Sequence, residues 1–165
     1  MNEMAKAGFV WTIETLRNGV VIEREVVHNL IPVEGLNHIL SVLLKAGAQV
    51  PTWYIGIYEG NYTPTPDLTA AQLPALAVEC TSYTEATRRE LVEGAVANGA
   101  VDNLGNRAEF TSNANKTVYG GFITSAPAKG STAGVLLSAV RFPTPKSFEA
   151  ETVMRVSAGF NLASL

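Results

Sequence analysis

Phe9-Val10-Trp11-Thr12-Ile13-Glu14 alternates large apolar side chains with smaller or polar ones, and Arg17-Asn18-Gly19-Val20 follows a few residues later. A period of two is the mark of a strand with one face in a core. Asn-Gly is the preferred central pair of a type I′ turn, because both positions need positive φ. The pair predicts a hairpin into a second strand over residues 20–28. Within it, Glu23-Arg24-Glu25 charges both faces at once, which fits an exposed edge.

The same punctuation recurs along the chain. Strands are expected at 53–58, 88–93, 107–112, 117–124, 134–142 and 152–162, with turns at 102–106, 126–132 and 143–146. A helical turn at 69–73 should stop at Pro74. Gly120-Gly121, inside a strand pattern, suggests a bulge or close backbone approach. In Trp53-Tyr54-Ile55-Gly56-Ile57-Tyr58, residues 53, 55 and 57 share one face. Tyr54 and Tyr58 share the other, and packing under a loop suits them better than a sugar- or base-stacking groove.

One helix stands out, over residues 33–46. Leu36, Ile39, Leu40, Leu43 and Leu44 form an apolar stripe, so Leu40 and Leu43 are expected to be buried against a sheet. Pro32 and Glu34 suit its start; Lys45 and a left-handed Gly47 suit its end. About seven or eight short strands with one amphipathic helix make the chain mainly β, a β-sandwich or jelly roll. Residues 1–7 would form an arm and 8–165 a single domain.

Composition narrows the function. The 165 residues are 47% hydrophobic and only 16% charged, where about 25% is usual. Either the surface is unusually neutral or partners cover part of it. A net charge of −3 argues against a dedicated nucleic-acid binder, which needs a basic surplus. Neither a signal peptide nor an apolar stretch of ~20 residues is visible, so a soluble protein made in the cytosol is expected.

Chemistry-bearing motifs are sparse. Cys80 alone can form no intramolecular disulfide and reads as a small buried hydrophobe. His28 and His38 lack metal-ligand spacing, and no phosphate loop, nucleophile elbow or calcium loop occurs. The expectation is a non-enzyme without cofactor or metal.

Several segments carry a resemblance: His28-Asn29-Leu30-Ile31-Pro32-Val33-Glu34-Gly35-Leu36-Asn37-His38-Ile39-Leu40, then TWYIGIY at 52–58 and NYTP at 61–64. AVDNLGNRAEFT at 100–111, VYGGFITS at 118–125, VLLSAVRF at 135–142 and MRVSAGFNL at 154–162 continue it. From about His28 onward the chain resembles small virion structural proteins of tailed bacteriophages. The resemblance implies a particle component without catalytic residues, most simply a head decoration (cement) protein. Such a protein would be made in the host cytoplasm and bind the major capsid protein on the head exterior as a homo-oligomer, without direct contact to nucleic acid or membrane. A tail or baseplate component is the alternative. A carbohydrate-binding or hydrolytic virion module would be a different class.

The candidate contact residues are Met4, Lys6, Phe9, Lys116 and Lys129. The first three belong to the arm and the strand after it; the arm is expected to order on a neighbouring subunit. The lysines come from a charge asymmetry. Residues 59–102 carry seven acids and two arginines, whereas 110–147 carry four bases and no acid. Such segments either neutralise each other within the sheet or meet across a contact between subunits.

Overall fold

The computed structural model describes residues 6–163. It is a β-sandwich of nine strands in two antiparallel sheets. The Asn-Gly hairpin forms as read: β1 (Lys6–Arg17) turns through Asn18 (φ 51°) and Gly19 (φ 75°) into β2 (Val20–His28). Phe9, Trp11 and Ile13 point inward. On its other side β1 pairs with β9 (Val153–Ala163), whose far edge carries β5 (Ala100–Asp102) and β6 (Ala108–Thr111). β2 is therefore an edge strand, and its outward residues Val20, Ile22 and Val26 are exposed.

The second sheet runs β4 (Arg89–Glu90), β3 (Tyr54–Tyr58), β7 (Lys116–Thr124), β8 (Leu136–Phe148). Ile55 and Ile57 face the sandwich core, with Trp11, Phe110, Phe142, Phe148 and Met154. Tyr58 and Phe122 belong to a second cluster with Leu68, Leu73, Ala77 and Leu136, so the loop after β3 covers the outer face. Tyr58 donates its hydroxyl to the Val140 carbonyl at 2.9 Å, as expected of a tyrosine packed under a loop. The double glycine is a close approach: a Cβ on Gly120 would lie 2.2 Å from the Tyr58 ring, and one on Gly121 3.0 Å from the Trp11 indole.

Three expectations are corrected. The turn at 143–146 is strand: β8 continues through Pro143 and Pro145. Val118 pairs with Lys146 and Gly120 with Arg141, so both prolines fall in a bulge where no ladder N–H is required. The helical turn at 69–73 forms but does not stop at Pro74, which heads the π-helical turn Pro74–Val78 that continues it, a first position where its missing N–H matters little. Residues 100–102, not read as a strand, pair with β9 just before the expected turn.

Candidate functional site

The helix α1 (Val33–Leu44) is held where its sequence fits β8. Gly35 rests on the strand backbone; a Cβ there would sit 2.7 Å from the Leu137 carbonyl oxygen. The Glu34 carboxylate accepts hydrogen bonds from the amides of Leu136 (2.7 Å) and Ala70 (2.9 Å), tying the helix start to β8 and the covering loop. At the other end Ala46, not Gly47, takes the left-handed conformation (φ 53°). The Gly47 amide still donates to Ser41 O, and its lack of a side chain leaves room for the Ser41 hydroxyl.

This docking turns the leucine stripe outward. Leu40 is 54% exposed and Leu43 68%, while Leu36 and Leu44 are also exposed, so their expected burial is overturned. The inward face is instead Gly35, His38, Ile39 and Val42, with His38 edge-on to Trp53 at 5.4 Å between ring centroids. Close approach at Gly35 fixes the rotation, and only one face can meet β8. Leu40→Ala is accordingly expected to change stability by less than about 0.5 kcal/mol, as for other surface substitutions. Thermal unfolding checks this, and a loss of several kcal/mol would place Leu40 in the core after all.

Between this helix and the sandwich end lies an open apolar cavity of about 320 Å³, walled by Phe9, Val42, Trp53, Leu137 and Phe160, with Glu93, Asp102 and the largely exposed Leu43 also on its lining. Neither a nucleophile nor a base lines it apart from His38 and these carboxylates.

The expected contact residues do not converge. Met4 lies outside the described residues, as do residues 1–5 of the arm. Lys6 opens β1, in register with Ala163. Phe9 is core, 5% exposed, with its ring 4.9 Å from that of Phe160. Lys116 pairs with Glu59 at 2.9 Å. Lys129 donates to the carbonyls of Tyr83 (2.8 Å) and Thr81 (3.2 Å), its ammonium 3.7 Å from the Tyr83 ring centre. Lys146, itself buried, bonds Glu23 and Glu25 of β2. Cations of the basic segment are thus engaged within the chain, and for Lys116 the partner is an acid of the acidic segment.

Two further groups carry no signal in the sequence beyond the charge of residues 59–102. Arg88 and Glu79 form a bidentate pair with side chains 1% and 2% exposed, at 2.9 and 2.7 Å. Arg88 also donates to the carbonyls of Ala126 and Ser131, and Glu79 accepts from the Gly130 amide. The pair pins the 126–131 turn to the segment after β3.

Cys80 is buried as expected, and burial, first among the causes, pushes its thiol up to about 11. The folded core accepts the protonated thiol, whereas the unfolded thiol ionises near ~8.5. Its contribution to stability is therefore complete below ~8.5 and is lost as the pH rises toward 11. Burial raises the Tyr58 and Tyr83 phenols as well, extending the trend to higher pH. Melting temperatures from pH 7 to 10.5 should fall, and fall less steeply for Cys80→Ala; parallel curves would remove the thiol from the account.

Among the described residues, no group of three or more His, Cys, Asp or Glu side chains could hold a metal ion. No helix among them is long and apolar enough to cross a membrane. No protein-family model matches the chain, and no curated protein matches it.

Proposed function

We propose that the chain is a structural component of a tailed-bacteriophage particle, a decoration protein that binds the outside of the head across joints between capsomers. The observation that carries the reading is the outward apolar face of α1, rigidly mounted on the sandwich through Gly35 and Glu34. Contiguous exposed apolar surface marks an interaction site. The resemblance that begins at His28 includes this helix and supports the same reading. Adhesion is the whole mechanism: a protein that binds only the assembled shell stabilises it by linkage, without chemistry.

Quantitative mass spectrometry of purified particles tests it. A copy number comparable to that of the major capsid protein is the expected result. A small ring's worth of copies would move the chain to the tail or baseplate, and absence from the particle would end the virion reading.

A further inference from the structure

The outward residues of α1 are Val33, Leu36, Asn37, Leu40, Leu43 and Leu44, a set without a charge. Val33, Leu36, Leu40 and Leu43 follow the 3-4-3 spacing of a coiled-coil seam. That spacing is symmetric about residue 38. We propose that α1 is the contact through which two copies of this chain pair, helix against helix and antiparallel, about a two-fold axis at the middle of the seam.

In this arrangement Val33 of each copy meets Leu43 of the other, and Leu36 meets Leu40, so every layer of the seam is apolar. The ends match too. Exposed Asp67 follows Pro66, whose carbonyl receives the Val33 amide at 2.8 Å, so an acid stands at the helix N-terminus. Exposed Lys45 stands at the C-terminus. Antiparallel pairing brings Lys45 of one copy to Asp67 of the other, twice, and sets the helix dipoles against each other favourably. A parallel pair would oppose Lys45 to Lys45 and Asp67 to Asp67. A two-fold contact needs one self-complementary patch, and this face is one.

The helix spans only ~18 Å, less than the ~800 Å² per partner of a standard interface calls for, so the pairing is expected to be weak, in the micromolar range. It is a property of the isolated chain: on the particle the shell would take this same face, so pairing and shell binding exclude each other, and so weak a pair can give way to the shell.

Sedimentation velocity of the full chain, from low to hundreds of micromolar, is the test. The expected result is a concentration-dependent mass rising from 17.6 kDa toward twice that value. Leu40→Glu, and independently Leu43→Glu, should weaken pairing at least about tenfold with an unchanged circular dichroism spectrum, since both side chains are exposed. Lys45→Glu alone should weaken it about two- to fivefold, and adding Asp67→Lys should restore it. A monomer at every concentration would overturn the proposal and leave the face to a different molecule. A dimer indifferent to both leucine variants would overturn it as well, and a charge swap that fails to restore affinity would overturn the antiparallel arrangement.

Discussion

Replacing Arg88 by alanine is expected to cost about 3–5 kcal/mol, because it leaves the Glu79 carboxylate buried without its counter-charge. In a chain of this length that lowers the thermal midpoint by roughly 6–20 °C. The carbonyls of Ala126 and Ser131 lose a donor at the same time. The double variant Arg88→Met with Glu79→Leu should lose far less, since an apolar pair of similar volume avoids the desolvation that the ions suffer. Melting curves of the two variants decide it. A single variant that melts within about 2 °C of the parent would mean that water reaches Glu79.

Trp11→Ala should be comparably severe, at about 3–5 kcal/mol. The indole is fully buried between the sheets, against the backbone at Gly121, and donates from Nε1 to the Ser138 hydroxyl at 3.3 Å. Its removal leaves a cavity that β1, paired on both sides, cannot close. Urea unfolding followed by circular dichroism should show a lower midpoint with an unchanged slope, the sign of a changed stability alone. A midpoint equal to the parent's would mean that the core collapses around the gap.

The contrast between these positions and α1 shows what was legible in the sequence. The first hairpin could be read because its information is local: Asn-Gly fixes the turn and the alternation fixes the faces. The close approach at Gly120-Gly121 was legible because a glycine pair inside a strand has few other uses. The rotation of α1 was not. The helix is apolar on two sides, and hydrophobicity favours the leucine side, but Gly35 is the residue that can lie on β8. The missing side chain outranks the largest ones. Pro143 and Pro145 read as a turn because a proline's tolerance depends on whether its neighbour needs the N–H, which only the register reveals. Arg88 and Glu79 meet because the single segment between the π-helical turn and β4 folds back on itself, and no spacing announces that. Segment charge singled out Lys116 and Lys129 among the candidate contact residues, and the fold engages both internally.

The edge strand β2 has a consequence for how copies can associate. A two-fold axis normal to a sheet joins two edges antiparallel and keeps their faces, so it opposes only residues of equal parity. Centred on Arg24, it sets Arg24 against Arg24 and Glu23 against Glu25 of the second copy. Moved one residue either way, it sets Glu23 against Glu23 or Glu25 against Glu25. Like charges directly opposite destabilise a pairing; Lys146 offsets one of the two carboxylate charges in each copy, not both, and the registers that escape the clash overlap by at most five of the strand's nine residues. The three charges thus act as a lock on the sheet: β2 disfavours joining edge to edge with the β2 of a second copy.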